Sequence, residues 1–377
     1  MPRKIAIDSL PELPKIEDLE IVQDPHTTAE IAGLLYVSDD EPGWTRKKSG
    51  KSFSYFDQRG KKITDEAHIQ RINSLAIPPA YKRVWICPEP SGHIQATGYD
   101  ERERKQYRYH PKWREARDET KFIRTIAFAA ALPRIRAATE KHLSQPGFSR
   151  ERVLAAVVQL LEKTAIRVGN EEYARQNHSV GLTTMENQHV EVSGTKTHFH
   201  FKGKSGKWHD IDLKDRKLAQ VIRKLQDLSG QSLFQFKDDA GTIHHVSSAD
   251  VNAYLKEIAG DDFSAKDFRT WAGTVAASLA LQEFEKYDSE KVANQNIVEA
   301  VKQVAKRLGN TPAVCRKAYI HPAIFESYLD GSMPDSLKQS VEAELEEELK
   351  ELRPEEAAVL GLLRGRLARK TGEATEK

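Results

Sequence analysis

Leu308-Gly309-Asn310-Thr311-Pro312-Ala313-Val314-Cys315-Arg316-Lys317-Ala318-Tyr319, with His321-Pro322 behind it, is the stretch from which the rest of the chain is read. Gly309 reads as the residue that ends one helix, Thr311 as the N-cap of the next and Pro312 as its first residue. A tyrosine is thereby set near the start of a helix, on a short basic segment with Arg316 and Lys317. Such a phenol is either a nucleophile towards phosphorus or an aromatic side chain packed onto a core. The motif taken alone leaves both open.

The chain has 377 residues, which suggests two or three domains. Its net charge of only +2 conceals local imbalance. Basic residues crowd Arg46-Lys47-Lys48, Lys51, Arg59, Lys61-Lys62 and the run from Arg102 to Lys121, whereas Glu342 to Glu356 is acidic. A basic binding face with an acidic tail fits this asymmetry; ordinary solvated charge is the alternative for any single cluster. Cys87 and Cys315 are the only cysteines and have no metal-like spacing, which argues for a reducing compartment and against a disulfide scaffold or a zinc site. The N-terminal residues lack the apolar run of a signal peptide, and no segment approaches the ~20 apolar residues of a membrane span. A soluble, cytoplasmic, nucleoid-associated protein is expected.

Residues 1–31 carry Pro11, Pro14 and Pro25 and read as a flexible extension with one short amphipathic piece near Thr27 to Ala32. Residues 32–113 read as a small, β-rich, basic domain. Its expected strands are Leu34 to Val37, Ser52 to Phe56, Val84 to Cys87 and Ile94 to Gly98, with a helix over Asp65 to Ser74 capped by Thr64. In the segment Asp100 to His110, Arg104, Gln106, Tyr107 and Tyr109 interleave cations, an amide and phenols. That composition suits phosphate and base contacts, or else a charged linker with two tyrosine anchors.

Residues 114–332 turn helical. Phe122 to His142 and, more strongly, Arg152 to Arg167 carry apolar residues at helical spacing, so Arg167 is expected on the last turn of a buried helix ended by Gly169. Asn170 caps Glu171 to Asn177. His189 to Leu213 is a β island, and Lys204 lies on its second turn, where a lysine is either solvated or free to reach into a groove. Its histidines alternate with aromatics and lack helix-type ligand spacing, which argues against a metal site. Ser264-Ala265-Lys266-Asp267 is a capping box that starts a helix carrying Arg269 in its second turn. Asn294 to Leu308 leads into the opening motif. Residues 333–377 read as a charged helical C-terminal tail.

A tyrosine that attacks a phosphodiester needs help, because the phenol pKa is about 10. The transition state spreads charge over nonbridging oxygens, which arginine's planar fork can bridge, and the leaving oxygen needs a proton that a lysine can supply. No carboxylate cluster for a divalent metal is required, and none is evident in this sequence.

The ordered set Arg167, Lys204, Lys266-Asp267-Phe268-Arg269, Gly309-Asn310-Thr311-Pro312 and Lys317-Ala318-Tyr319 resembles the type IB DNA topoisomerases of the poxvirus and bacterial branch, over roughly Leu34 to Asp330. The resemblance implies Tyr319 as the nucleophile of a 3′-phosphotyrosyl link, Arg167 and Arg269 as clamps on the scissile phosphate, and Lys204 as the acid to the departing 5′-oxygen. It implies duplex-DNA contacts at Gln106, Tyr107, Tyr109 and Tyr173, with Arg104 and Lys266 alongside. The expected fold is α+β: a C-shaped clamp of a small β-rich N-terminal domain and a larger, mainly helical catalytic domain holding a small β-hairpin sheet. The expected enzyme is a monomer that needs neither ATP, a metal nor another cofactor. The poxvirus pattern has histidine where this chain has Asn310, which can donate to a nonbridging oxygen but cannot carry a proton. Two rivals stay in view. A tyrosine recombinase shares the Arg, Lys, Arg and Tyr logic, but its box reads His-x-x-Arg and its N-terminal domain is helical. A non-catalytic DNA-binding protein would not need the ordered set.

Overall fold

The computed structural model describes residues 24–50, 52–260, 263–284, 287–333 and 352–375. The chain divides into two compact units, one ending at Arg124 and one starting at Thr125. It is an α+β protein, with its largest sheet in the first unit and most of its helices in the second.

In the first unit, β1 (Trp44–Ser49), β2 (Ser52–Phe56), β3 (Lys82–Ile86), β4 (Ile94–Tyr99) and β5 (Lys105–Tyr109) form an antiparallel sheet in the order β2-β1-β3-β4-β5. Trp44, Ile72, Val84, Ile86 and Ala96 form its core. Ile72 comes from α2 (Glu66–Ser74), whose N-cap is Asp65, accepting from the His68 amide at 2.9 Å. The cap is thus one residue past the expected Thr64. Leu34 to Val37 does not form the expected strand. Leu35 makes a single bridge to Gly92, while Leu34 is buried with Ala29 and Trp113. The segment is held by three hydrogen bonds instead of a ladder: Leu35 N donates to Ser91 O at 2.9 Å, His93 N to Leu35 O at 2.8 Å and Val37 N to His93 Nδ1 at 3.0 Å. The segment Lys105 to Tyr109, for which a charged linker was one of two readings, is strand β5, paired along its length with β4.

One of the basic clusters also has a structural member. Arg46 donates to the carbonyl oxygens of Ile77, Pro78 and Tyr81 and lies over the Phe53 ring, so its guanidinium is spent inside the unit.

In the second unit, α4 (Arg150–Thr164) is the central helix, and every residue from Val153 to Leu161 is buried. Around it lie α7 (Ser248–Ala259) and α8 (Ala265–Gln282). Helix α8 in turn packs on α9 (Glu290–Leu308). A three-stranded sheet of β6 (Val190–Ser193), β7 (Lys196–Lys202) and β8 (Trp208–Lys214) occupies the expected β island. Helix α6 (Arg216–Gln226) covers it with Leu218, Ala219, Val221, Ile222 and Leu225.

The C-terminal residues differ from the expected tail. The helix Pro354–Thr375 is no exposed tail: Val359, Leu360, Leu362 and Leu363 are buried, and it packs on α8. Glu356 receives a bidentate pair from Arg136 at 2.8 and 2.9 Å, and Arg136 also donates to Glu162 at 2.9 Å. The acidic stretch up to residue 351, like most of the extension over 1–31, lies outside the described residues. Among the described residues no helix is long and apolar enough to cross a membrane.

Candidate active site

Helix α4 ends earlier than the spacing suggested. Ala165 closes it in the left-handed conformation, so Arg167 stands on an irregular segment rather than on the last helical turn. Two backbone bonds pin that segment: the Leu182 amide donates to Arg167 O at 2.9 Å and the Thr183 amide to Val168 O at 2.7 Å. The approach is so close that a Cβ on Gly181 would lie 2.5 Å from the Cα of Gly169. Arg167 is thereby held at a fixed place instead of riding on a flexible loop.

Arg269 is only 4% exposed. Its guanidinium donates to Leu308 O at 2.7 Å and to Ala165 O, so it joins the C-terminal carbonyls of α9 and α4. Carbonyls at helix ends lack intrahelical partners and carry partial negative charge, which suits a buried cation. Its Nε is buried without a partner.

The tyrosine is placed differently from the sequence expectation. Helix α10 (Pro312–Ala318) does start as read, with Thr311 as N-cap accepting from Val314 N and Pro312 at its first position. Yet Tyr319 sits at its C-terminal end, closing the last turn by donating its amide to Cys315 O at 3.0 Å. The next residue, Ile320, is fully buried, and the His321 amide donates to Thr274 Oγ1 of α8 at 3.1 Å. A Cβ at Gly273 would lie 2.4 Å from Tyr319 O, so glycine lets α8 pass directly behind the tyrosine backbone. The ring faces Arg269, whose Cζ is 5.1 Å from its centroid.

Asn310 follows Gly309, which closes α9 with φ +61°. Its Oδ1 accepts from the Arg167 guanidinium, and its Nδ2 is buried without a hydrogen-bond partner. An arginine can only donate, so this contact orients the amide with its NH2 group as the remaining donor. Burial first, then the neighbouring charge of Arg269, pulls Arg167 below the ordinary guanidinium value, with Tyr319 acting in the opposite sense.

Lys204 lies in the turn between β7 and β8, exposed, with Nζ 5.5 Å from the Tyr173 ring centroid. Tyr173 is in the first turn of α5 (Glu171–Asn177), which Asn170 caps as expected. Lys266 is exposed in the first turn of α8. An open cleft of about 440 Å³ has Arg167, Tyr173, Lys204, Lys266, Arg269 and Tyr319 in its wall. Side chains drawn from Arg167 to Tyr319 are gathered there by the ends of α4, α5, α8 and α10 and one hairpin turn.

Two neighbours were not singled out from sequence. His209, on β8, stacks on Phe201 with ring centroids 5.0 Å apart and is wedged between two glycines. A Cβ on Gly203 would lie 2.6 Å from its Cδ2, and one on Gly309 2.4 Å from its Cε1. Burial, together with Arg167, Arg269 and Lys207, pushes its pKa down. Lys207 Nζ donates to Asn310 O at 3.2 Å. The only sequence signal was the glycine at 203 and 309, and glycine spacing does not name its partner.

The remaining expected residues belong to the first unit. Asp100 organises them: Arg104 Nε donates to its Oδ2 at 2.8 Å and Gln106 Nε2 at 3.1 Å. The Arg104 contact is the main reason the Asp100 carboxyl is held down at about 2. Tyr107 is exposed and stacks on the half-buried Tyr109 with centroids 5.7 Å apart. Of the pair, Tyr107 is the more exposed, with Lys105 Nζ 5.6 Å from its ring centroid.

Known proteins resemble the chain in both parts. The family model of the eukaryotic DNA topoisomerase I catalytic core matches residues 110–349. That of the bacterial DNA topoisomerase IB N-terminal domain matches residues 52–100. The DNA topoisomerase 1B of Acanthamoeba polyphaga mimivirus is 33% identical over 293 residues, covering 76% of this chain and 87% of the viral protein. The DNA topoisomerase 1B of Vaccinia virus (strain Copenhagen) is 24% identical over 278 residues, covering 72% of this chain and 84% of its own.

Proposed function

The chain belongs to the type IB DNA topoisomerases, with the N-terminal domain of their bacterial branch, and from that membership we propose a mechanism in which Tyr319 is its nucleophile. Duplex DNA is the substrate. The Tyr319 hydroxyl attacks a backbone phosphorus; the bond from phosphorus to the 5′-oxygen breaks as the 3′-phosphotyrosyl bond forms. The phenolic proton leaves to water, and Lys204 gives a proton to the departing 5′-oxygen. Rotation of the freed end relaxes supercoils, and the reverse attack by the 5′-hydroxyl reseals the strand.

Arg167 and Arg269 meet the charge that grows on the nonbridging oxygens, and the Asn310 NH2 group adds a neutral donor. Because guanidinium and ammonium groups carry the positive charge, the chemistry asks for neither ATP nor a metal. Lys266 and Tyr173 hold the flanking phosphates, and Arg104, Gln106 and Tyr107 bind DNA from the first unit. The enzyme acts as a cytoplasmic monomer on the nucleoid, and its DNA affinity falls steeply with salt as phosphate contacts release counterions.

The observation that carries this reading is the cleft in which Tyr319 meets Arg269, Arg167 and Lys204. The test is relaxation of supercoiled plasmid with EDTA present and ATP absent, wild type beside Tyr319→Phe. Relaxation by wild type alone supports it. Relaxation by both removes Tyr319 as nucleophile; relaxation by neither leaves a recombinase or a plain DNA-binding protein.

A further inference from the structure

A second cluster of donor atoms lies outside the cleft, on the hairpin whose turn bears Lys204. His198 and His200 are two apart on β7, so both stand on one face of the strand, while Thr197, Phe199 and Phe201 are buried on the other. The antiparallel register sets His198 opposite Asp212 and His200 opposite Asp210 on β8. His198 Nδ1 is 2.9 Å from Asp212 Oδ1 and 3.9 Å from Asp210 Oδ1, and His200 Nδ1 is 3.3 Å from Asp210 Oδ2. One donor atom from each of His198, His200 and Asp210 falls within 4.8 Å of the other two. The His200 ring stacks on Trp208, centroids 4.9 Å apart, which narrows its rotation.

We propose that His198, His200 and Asp210 form a binding site for a late first-row divalent cation, zinc foremost. Two imidazoles and one carboxylate suit zinc, cobalt, nickel or copper, whereas calcium and magnesium take oxygen ligands. Ligands about 2.0–2.1 Å from a tetrahedral ion stand roughly 3.4 Å apart. Small rotations of these side chains, of which His200 and Asp210 are exposed, bring the three donors to that spacing, and water completes the shell. Asp212, already paired with Lys196 at 2.9 Å, lies beside the site as a further negative charge. The helix-type spacing sought in the sequence could not reveal such a site, because its third ligand comes from the facing strand. The ion takes no part in strand transfer. It ties β7 to β8 beneath the turn, as a cross-strand clip.

The test uses the untagged full chain at neutral pH, titrated with cobalt(II) and read by its visible ligand-field bands, with zinc as competitor. One cobalt per chain, displaced by zinc, is expected. His198→Ala and His200→Ala should each weaken binding by more than about tenfold, the loss that removal of even an outer-shell partner brings. His244→Ala should leave binding intact, since that ring pairs with Asp238 at 2.8 Å in another hairpin. Absence of bands up to millimolar cobalt overturns the proposal. So do bands that persist in the His198→Ala, His200→Ala double variant, with folding checked by circular dichroism.

Discussion

The Arg269 guanidinium lies over the Tyr319 ring, 5.1 Å from its centroid, while the same group donates to Leu308 O at 2.7 Å and to Ala165 O. One buried cation thus holds two helix ends together and faces the proposed nucleophile. Arg269→Lys keeps the charge but loses the planar fork that reaches both carbonyls. Loss of one preorganised donor slows cleavage about 10²–10³-fold. An unpaired buried carbonyl costs a further ~1–3 kcal/mol of stability. Single-turnover cleavage and thermal melting together check both; a lysine variant with unchanged rate and melting would remove the dual role.

Lys204 is exposed and makes its nearest aromatic contact with Tyr173, so its replacement should leave stability almost untouched. Lys204→Ala should slow cleavage of ordinary DNA by about 10²–10⁴-fold, the usual worth of a general acid. On a substrate whose 5′-oxygen is replaced by sulfur, a better leaving group, most of that loss should vanish. A defect of equal size on both substrates excludes proton donation.

Gly309 and His209 form a coupled pair. Alanine at 309 must adopt φ +61° and must place a Cβ 2.4 Å from the imidazole. The left-handed conformation alone costs about 1–2 kcal/mol. The clash adds to it only while the ring is present. Gly309→Ala should therefore be less damaging in a His209→Ala background, with an interaction energy of about 0.5–3 kcal/mol in a double-mutant cycle of thermal stability. Strict additivity would show that the ring does not limit this turn.

His209 also gives a pH dependence of known sign. Its folded pKa is depressed, chiefly by burial and then by Arg167, Arg269 and Lys207, so the folded state favours the neutral ring. The unfolded chain then binds more protons below the unperturbed value of about 6.5. The stability it contributes is complete above that pH and is lost as pH falls towards the folded pKa. His93, His110 and His189 have depressed values too, so the difference between wild type and His209→Gln isolates this residue. Melting temperatures of the two proteins should converge as pH falls from 7.5 to 5.5, values bracketing the histidine range. A constant gap would mean that the ring does not titrate.

Local chemistry was legible where it acts within one element. Thr311 and Pro312 start α10, Asn170 caps α5 and the capping box at Ser264 starts α8, because each needs only neighbouring backbone. The alternation of His198 to Phe201 read correctly as a strand, since one face is buried. Where an element ends was not legible in the same way. Arg167 falls outside α4 because Ala165 turns left-handed there, and Tyr319 ends rather than starts its helix because its own backbone, at φ −133°, leaves the helical region.

By itself the sequence determined most element types, the helix starts at Asn170, Ser264 and Thr311 and the ordered Arg, Lys, Arg and Tyr set, because propensity, capping and periodicity are short-range. Only the tertiary structure decided that Arg269 binds two helix ends, that His209 is wedged between Gly203 and Gly309, and that His200 faces Asp210. It also decided that the helix Pro354–Thr375 is buried rather than an outlying tail. These depend on which surfaces meet across long sequence separations. Close packing and strand register settle that together, and no local pattern encodes it.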